Sequence, residues 1–470
     1  MGYLYLSAAH KSSGKTTVSL GLGAALRQRR DLEVQPFKKG PDYIDPLWLG
    51  AAAGRSCHNL DFFIQTAEEI RGEFARRMRG ADIGLIEGNK GLFDGVALDG
   101  SNSNAALAAL LEAPVVLVID SRGMTRGIAP LLLGYQQFTP RVRIAGVILN
   151  RVGGARHENK LRQAVEHYTD IPVLGAVPDS RGLEIVERHL GLMPSNEHSE
   201  TAAIIDRIAA VVGESVDLDA LMAAAASAPP VSATGGRPLP EPGDRVRIGV
   251  ARDAAFGFYY DADLEFVEAA GAQLQFFDTL ADTRLPPVDG LFLGGGFPEA
   301  RMDAIERNAD MREQIRDFIE GGGAAYAECG GLMYLCRSLT WNGKVCKMAG
   351  VIPADAVMYE RPQGRGYVRL RETPQHPWPD GITMEQDDIP AHEFHYSRLE
   401  NVDRPLTFAY EMARGQGIDG HHDGIVHRNL LASYAHLRDV AGNQWTRRFV
   451  AHVRACRQQR RSSQRAKDER

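Results

Sequence analysis

The chain is predicted to fold into two α/β domains, each built on a parallel β-sheet. Short runs that are apolar throughout alternate with helical stretches, a pattern typical of parallel strands buried on both faces. A segment rich in Ala, Pro and Gly, residues 215–245, separates two series of such runs and shows no strand pattern. The length of 470 residues agrees with two or three domains at roughly 150 residues each.

Each domain is predicted from its own series of strands. We expect the first domain at residues 1–214, a linker at 215–245 and the second domain at 246–450. A basic tail at 451–470 is expected to be the frayed end of a helix. The predicted strands are 3–8, 83–88, 114–120, 144–150 and 172–178 in the first domain, and 246–252, 274–279, 290–296 and 324–329 in the second.

Composition narrows the class of protein. Hydrophobic residues make up 44%, charged residues 24%, and the net charge is −6, which argues against nucleic-acid binding through bulk charge. No apolar run approaches the roughly 20 residues of a membrane span, and no secretory leader is apparent. The five cysteines follow no metal-ligating spacing. We therefore expect a cytoplasmic enzyme or nucleotide-driven switch with no nucleic-acid or membrane partner.

The first strand leads into AHKSSGKTT and then into a helix, which is the context of a P-loop. Loop amides and the helix N-terminus would face phosphates, Lys15 would reach the β/γ oxygens, and Thr16 would bind Mg²⁺. The leading Gly of the motif is replaced by Ala8 or Ala9. A Gly-rich turn with a surface lysine is the alternative. The predicted ATP-binding residues are Gly14, Lys15, Thr16, Thr17 and Asn150.

Asn150 ends a predicted strand, where its side chain could reach a nucleobase or cap a helix. Two acidic segments, FKKGPDYIDP and IEGNKGLFDG, also follow strands of this domain, where ligands of α/β domains collect. Thr16, Asp45 and Glu87 are the predicted magnesium ligands, with Glu87 placed like a Walker-B acid. Alternatively, the acids of the first segment only build a Pro-bounded turn.

A cysteine stands at a predicted strand-to-helix elbow in the second domain. In AAYAECGGLMYL, glycines after Cys329 permit a sharp turn, as in the nucleophile elbow of hydrolases. Three histidines are candidate bases, His392, His395 and His436, and we favour His436 because it follows the β-like run LLASY. The predicted oxyanion donors are the backbone amides of Gly294, Gly295 and Gly330.

The motifs GKTT, KKGPDYIDP, IEGNKGLFDG, AECGGLMYL, HEFHYS and ASYAHL, taken in this order, closely resemble the cobyrinic acid a,c-diamide synthase family from about residue 3 to 450. The resemblance implies a dethiobiotin-synthetase-like P-loop domain followed by a class I glutamine amidotransferase domain. It implies ATP- and Mg²⁺-dependent amidation of the a and c acetate groups of a tetrapyrrole, through an acyl phosphate and ammonia from glutamine.

The resemblance also implies roles for individual residues. Lys38 matches a lysine near the transferring phosphate, and Cys329 with His436 would hydrolyse glutamine. Asp42, Tyr43 and Asp94 are the implied substrate residues. Three arginines, Arg361, Arg365 and Arg398, are further candidates for binding the carboxylates of the tetrapyrrole.

Two departures from the family pattern leave alternatives open. Arg438 stands where class I amidotransferases place a glutamate two residues after the histidine, so Asp439 or Glu393 is a candidate for orienting His436. The segment EGNKGLFDGVALDGSNSNAALA resembles a branch of the family thought to amidate sirohaem more than it resembles the typical corrinoid enzymes. Sirohaem and nickel sirohydrochlorin are therefore alternative substrates.

Two other functions compete with glutamine-dependent amidation. A partitioning-type P-loop switch with a vestigial second domain is favoured by the missing leading Gly and the missing Glu. A dethiobiotin-like ligase using free ammonia is the other possibility. A homodimer is left open by analogy with P-loop enzymes of this type.

Overall fold

The computed structural model describes residues 2–183, 185, 187–188, 191–197, 200–231, 243–379 and 388–468. The chain forms two compact units, Met1–Arg237 and Pro238–Arg470. Each unit contains its own sheet with helices against it, so the predicted α/β fold class is confirmed for both domains.

The first unit is built on a seven-stranded parallel sheet of order β3-β2-β4-β1-β5-β6-β7. Its strands are β1 Gly2–Ala8, β2 Val34–Lys39, β3 His58–Leu60, β4 Ile83–Glu87, β5 Val115–Asp120, β6 Ile144–Val152 and β7 Val173–Pro178, with the short pair β8 Glu187–Arg188 and β9 Gly191–Leu192. Its helices are α1 Lys15–Arg30, α2 Ile44–Ala53, α3 Ala67–Arg77, α4 Asn104–Leu110, α5 Ile128–Phe138, α6 Ala155–Tyr168, α7 Thr201–Ser215 and α8 Leu218–Ala226.

Both faces of this sheet are covered. In β1, Leu4 and Leu6 join the apolar cluster that contains α1 and α7, while Tyr3 and Tyr5 join the cluster on the other face. Helices α1 and α7 approach closely at Gly21, where a Cβ would lie 2.5 Å from Val212 Cβ. Burial on both faces explains why such strands read as continuous apolar runs.

The second unit has a nine-stranded mixed sheet of order β12-β10-β13-β15-β24-β23-β22-β19-β20. Its strands are β10 Val246–Ala251, β11 Phe256–Phe258, β12 Ala272–Phe277, β13 Gly290–Leu293, β14 Gly295–Gly296, β15 Ala324–Glu328, β16 Ser338–Trp341, β17 Lys344–Lys347, β18 Asp355–Met358, β19 Gly364–Glu372, β20 Ile389–His395, β21 Ser397–Glu400, β22 Thr407–Arg414, β23 His422–His427 and β24 Leu430–Ser433. Its helices are α9 Asp261–Ala269, α10 Met302–Arg307, α11 Ala309–Glu320, α12 Gly330–Leu335 and α13 Trp445–Asp468.

Only half of this sheet is parallel. Strands β12, β10, β13, β15 and β24 run parallel, and β23, β22, β19 and β20 continue the sheet in antiparallel pairs. Strands β16, β17, β18 and β21 form a separate four-stranded sheet. Each apolar run predicted as a strand overlaps an observed strand, but the antiparallel half was not predicted.

Two predicted boundaries need correction. Residues 218–226 of the predicted linker form α8, which Asp217 caps by accepting hydrogen bonds from two backbone amides; Leu221 and Ala225 are buried. Residues 232–242 of that linker lie outside the described residues. The predicted tail begins inside α13, where Val453 and Cys456 are buried, so its first turns pack against the unit. Among the described residues, none of the helices combines the length and apolar character needed to span a bilayer.

Candidate active sites

The P-loop joins β1 to α1 and is fixed by a side chain from β6. Gly14 adopts φ 83°, and a Cβ there would lie 2.2 Å from Asn150 Nδ2. Asn150 Nδ2 donates to the Ser13 carbonyl at 2.8 Å. Through this contact the Asn150 amide nitrogen braces the loop, while binding of a nucleobase by Asn150 stays a prediction. Thr17 lies half-buried on the first turn of α1.

The missing leading glycine has a structural explanation. Ser12 and Gly14 adopt positive φ in this loop, at 64° and 83°, whereas Ala8 and Ala9 do not. Alanine is therefore unstrained at the position where the motif has glycine. Arg151 further braces the loop, since its Nη1 donates to the Ser12 carbonyl at 2.9 Å and to Asp120 Oδ2 at 2.7 Å.

Lys38, at the end of β2, lies among three carboxylates beside this loop. Its Nζ is 2.5 Å from Asp45 Oδ2, 2.8 Å from Glu87 Oε1 and 3.7 Å from Asp42 Oδ2. The ammonium and the Glu87 carboxylate are both almost fully buried. Thr16 Oγ1 donates to Glu87 Oε1 at 2.8 Å. The structure therefore brings together the P-loop threonine and both acidic segments.

Burial and ion pairing shift the pKa values of the charged groups in this cluster. Burial disfavours the charge of Lys38, but Asp45, Glu87 and Asp42 outweigh it and hold the Lys38 pKa well above its usual value. Burial and repulsion from Asp45 raise the pKa of Asp42 to about 7, against the attraction of Lys38. Burial lowers the pKa of Lys15 despite attraction from Glu87. An incoming phosphate would therefore favour the charged form of Lys15.

The oxygens of the three predicted magnesium ligands lie close together beside the Lys38 ammonium. Thr16 Oγ1 lies 2.8 Å from Glu87 Oε1 and 3.5 Å from Asp45 Oδ2, so the three oxygens converge. Glu87 Oε2 is buried without a hydrogen-bond partner. No group of three or more His, Cys, Asp or Glu in the described part of the chain is arranged as a metal site. A cation here would take further oxygens from phosphate and water, as Mg²⁺ does beside nucleotides.

The implied substrate residues border this cluster. Asp42 Oδ1 accepts from the amides of Ile44 and Asp45 at 3.0 and 3.1 Å, so it caps α2, while its other oxygen faces Lys38. Tyr43 is buried at the start of the same helix. Asp94 Oδ2 accepts from the Gly91 amide at 2.9 Å, and its charge acts on Lys15.

The second site is built on a strained elbow between β15 and α12. Cys329 adopts φ 46° and ψ −98°, a conformation that costs a non-glycine residue about 1–3 kcal/mol. Its amide donates to the Ser433 carbonyl of β24 at 2.7 Å. The elbow lies tightly against β13, since a Cβ on Gly331 would lie 2.1 Å from the Leu293 carbonyl oxygen.

His436 and Glu328 complete this site. His436 Nδ1 donates to Glu328 Oε2 at 3.1 Å, and both side chains are buried. Glu328 Oε1 accepts from Tyr326 Oη at 2.6 Å and from the Leu437 amide at 3.0 Å. Burial opposes the charged form of His436, but hydrogen bonding to Cys329 and Glu328 outweighs burial and raises the His436 pKa to about 10. The arrangement is that of a cysteine, a base and an acid that orients the base.

The two acids predicted to orient His436 accept hydrogen bonds from backbone amides. Glu393 accepts from the amides of Gln416 and Gly417, each at 2.8 Å. Asp439 Oδ2 accepts from the Thr446 amide at 2.9 Å near the start of α13. The sequence analysis did not identify Glu328. Its position at the end of a buried strand is a usable signal, since the same feature identified Glu87.

The two other candidate bases, His392 and His395, have other contacts. His392 stacks on His436 with ring centroids 4.9 Å apart, and burial together with the charge of His436 holds its pKa well below the usual value. His395 stacks on Tyr434 and lies 3.6 Å from Glu393. A neutral His392 therefore packs behind His436.

The predicted oxyanion donors divide into two groups. The Gly294 amide donates to Tyr259 Oη at 2.9 Å, so the structure contradicts its assignment as a free donor. Gly295 and Gly330 stay predictions. A Cβ on Gly295 would lie 2.7 Å from His436 Cε1, and one on Gly330 would lie 3.0 Å from the Gly296 nitrogen. The absence of side chains at both positions keeps the site open.

The three candidate arginines lie on neighbouring segments of the second unit, since Arg365 pairs with Phe394 and the Gln363 amide donates to the His395 carbonyl. Arg365 lies over the Phe394 ring at 5.4 Å, and Arg398 lies over Tyr359 at 5.8 Å. Arg398 also lines a cavity of about 170 Å³ with His395. Arg361 accepts a hydrogen bond at its carbonyl from Gln363. Their role in binding carboxylates stays a prediction.

Comparison with known proteins agrees with this division of sites. Residues 8–192 match the CobQ/CobB/MinD/ParA nucleotide binding domain, and residues 247–442 match the CobB/CobQ-like glutamine amidotransferase domain. Three similar relatives are cobyrinate a,c-diamide synthases. The protein of Magnetococcus marinus is 46% identical over 94% of this chain and 95% of its own. That of Archaeoglobus fulgidus is 42% identical over 93% and 94%, and that of Picrophilus torridus 40% over 96% and 98%.

Proposed function

Because the chain belongs to the cobyrinate a,c-diamide synthase family, and is thus a carbon–nitrogen ligase with glutamine as nitrogen donor, we propose that it amidates the a and c acetate groups of a tetrapyrrole such as cobyrinate. The observation that carries the proposal is the presence of two complementary centres on one chain. Lys15 and Lys38 stand among carboxylates at a P-loop, and Cys329 pairs with His436.

In the second unit, Cys329 Sγ attacks the side-chain amide carbon of glutamine. The C–N bond then breaks while His436 gives a proton to the leaving nitrogen, which yields ammonia and a thioester. Water, deprotonated by His436, hydrolyses the thioester to glutamate and restores Cys329. Glu328 keeps the imidazole oriented throughout, because it holds Nδ1 at 3.1 Å and leaves Nε2 for the reaction.

In the first unit, a carboxylate oxygen of the acceptor attacks the γ-phosphorus of ATP and ADP leaves, which gives an acyl phosphate. Ammonia then attacks the acyl carbon and phosphate leaves, so an amide replaces the carboxylate. Lys15 and Lys38 neutralise charge on the transferring group. Thr16, Asp45 and Glu87 would hold Mg²⁺, which would supply further neutralisation of phosphate charge.

Sirohaem and nickel sirohydrochlorin are the alternative acceptors, favoured by the wording of residues 87–108. Some residues of that segment have a structural role. Asn102 Oδ1 accepts from the amides of Val96 and Ala97 at 2.8 and 3.1 Å, and Asn104 Nδ2 donates to the Gly91 carbonyl at 2.6 Å. These asparagines brace the loop after β4, so their presence does not by itself select a macrocycle.

The P-loop switch is less well supported than amidation. Two sequence features favour the switch, the missing leading Gly and the missing Glu after His436. Ala9 is unstrained in its conformation, and Glu328 contacts His436 from another position. Both departures are therefore compatible with a catalytic pair of sites.

The deciding experiment is mass spectrometry of products after incubation with ATP, Mg²⁺, glutamine and, separately, cobyrinate, sirohaem and nickel sirohydrochlorin. We expect a diamide of cobyrinate. A product from sirohaem or nickel sirohydrochlorin alone would assign the alternative acceptor. ATP hydrolysis without any amide product would overturn the proposal and favour the switch.

A further inference from the structure

Lys39 is a buried lysine that the proposed mechanism does not use. It ends β2 beside Lys38 and is only 7% exposed. Lys38 has three carboxylates within 4 Å, whereas no hydrogen bond or ion pair joins the Lys39 ammonium to another described residue. Lys15, the P-loop lysine, shares this lack of a protein partner and is expected to bind phosphate. A buried ammonium without a direct ion pair is costly, so an anionic ligand is a fitting partner for Lys39 as well.

The fold places a second lysine near Lys39. In the register of β2 with β4, Lys38 pairs with Glu87, so the chain after Glu87 continues beside Lys39. Lys90 lies three residues further on, exposed, with φ 43°. Successive side chains of a strand point to opposite faces, so Lys39 faces away from the Lys38 cluster at the same edge of the sheet.

Electrostatics agrees with this placement. Burial lowers the pKa of Lys39 to about 8; Asp61 acts against the shift, and Lys90 and Lys38 add to it. Asp61 Oδ1 accepts from the Phe63 amide at 2.8 Å. Lys90 therefore disfavours the charged form of Lys39, and a carboxylate bound beside both lysines would favour it.

We propose that Lys39 and Lys90 form a subsite for a carboxylate of the acceptor other than the one that reacts. The inference rests on the proposed function, in which the acceptor carries several carboxylates and only one reacts at a time. The loop that carries Lys90 also carries Asp94, whose charge acts on Lys15. A macrocycle with one acetate at the phosphate would therefore present neighbouring carboxylates to this edge of the sheet. The lysine pair would fix which acetate reaches the phosphate.

The test uses the full-length chain with Lys39→Gln, Lys90→Gln and the double variant. We expect the Kd for cobyrinate, measured by quenching of tryptophan fluorescence, to rise about 10-fold for each single variant, since charge-assisted contacts are strong. The KM for cobyrinate should rise in parallel, with kcat and the KM for ATP within about 2-fold of wild type. Lys39→Arg should restore most of the affinity. Lys160→Gln removes the same charge from the exposed face of α6 and should change nothing.

Cobyrinate with its peripheral carboxylates methylated gives a second readout. Its Kd should be equal for wild type and Lys39→Gln, because the partner charge is absent. Unchanged binding of cobyrinate by both single variants would overturn the subsite, and so would a loss of ATP or inorganic phosphate affinity instead. If Lys39→Gln fails to fold, the exposed Lys90 decides the matter. Lysine-dependent binding without any amide product from wild type would keep the subsite and refute the proposed function.

Discussion

The two candidate centres of this chain are built in different ways. At the P-loop, charge is concentrated, and a buried lysine lies within 4 Å of three carboxylates contributed by two short segments. At the elbow, the proposed nucleophile is a single sulfur held by strained backbone, and its partners Glu328 and His436 are 108 positions apart in the sequence. Phosphoryl transfer needs neutralisation of developed charge, whereas amide hydrolysis needs one oriented nucleophile and one proton carrier. The contrast predicts that variants will separate the two half-reactions.

The largest expected effect is on glutamine use. Cys329→Ala removes the nucleophile, so glutamine-dependent amidation should fall about 10³-fold or more. Amidation with added ammonium chloride should stay within about 2-fold, because the phosphate centre is untouched. Product formation from each nitrogen source is measured by mass spectrometry. Equal activity of variant and wild type with glutamine would favour a ligase that uses free ammonia. Cys336→Ala, on α12's C-terminal side, is the matched control.

The opposite separation is expected at Lys38. Lys38→Met should lower amidation about 10²-fold or more with either nitrogen source, because the transferring phosphate loses a cation. Loss of the buried cation also leaves Asp45 and Glu87 without a counterion, which costs about 3–5 kcal/mol of stability. Thermal unfolding with and without ATP checks that the variant folds, and Lys38→Arg keeps the charge. Ammonia-dependent activity that survives Lys38→Met would contradict the assignment.

A smaller effect with a distinct signature is expected at Glu328. The His436 pKa of about 10 lies above its usual value, so the imidazolium is present below that pH and is lost as pH rises through it. Glu328→Gln removes one partner of the charged form and should lower this pKa. Glutaminase activity should fall about 10²-fold at pH 9, less at pH 7, and its alkaline limb should move to lower pH.

The controls for this pH shift are the acids that sequence reasoning favoured. Glu393→Gln and Asp439→Asn should leave the alkaline limb where it is, because Glu393 accepts from the amides of Gln416 and Gly417 and Asp439 accepts from the Thr446 amide. A limb that moves in either control but not in Glu328→Gln would show that Glu328 is not the orienting acid.

The smallest effect is expected at the brace of the P-loop. Asn150→Ala removes the hydrogen bond to the Ser13 carbonyl, worth about 1 kcal/mol, so the KM for ATP should rise about 5-fold with kcat nearly unchanged. Initial rates at varied ATP measure it. Asn150→Asp, which cannot donate, should raise the KM for ATP by a similar factor. A changed preference between adenosine and guanosine triphosphates would instead support a contact of Asn150 with the nucleobase.

How much of the fold could be predicted depended on burial. Strands such as β1 and β5, covered on both faces, read as apolar runs and were found. Strand β19 alternates buried Val368 and Leu370 with outward Arg369 and Arg371, so a search for continuous apolar runs misses it. The composition of the segment that contains α8, with its many alanines and flanking prolines, predicts a linker. Its Leu221 is nevertheless fully buried.

Site prediction succeeded where chemistry lies within one short segment. The P-loop lysine, the acids after β2 and β4, and the cysteine elbow are each set by neighbours in sequence, and the parallel sheet then gathers strand ends at one edge. Roles that depend on a partner distant in the sequence could not be predicted from local motifs. The Gly294 amide donates to Tyr259, and Asn150 donates to the P-loop.

By itself, the sequence determined that this chain has a P-loop, a cysteine elbow and the ordered motifs of a glutamine-dependent amide ligase, because those features are local. Only the tertiary structure decided that Glu328, adjacent to Cys329, orients His436. Neighbouring residues of a regular strand point to opposite faces, and the left-handed backbone at Cys329 ends that alternation, so that both side chains reach one imidazole.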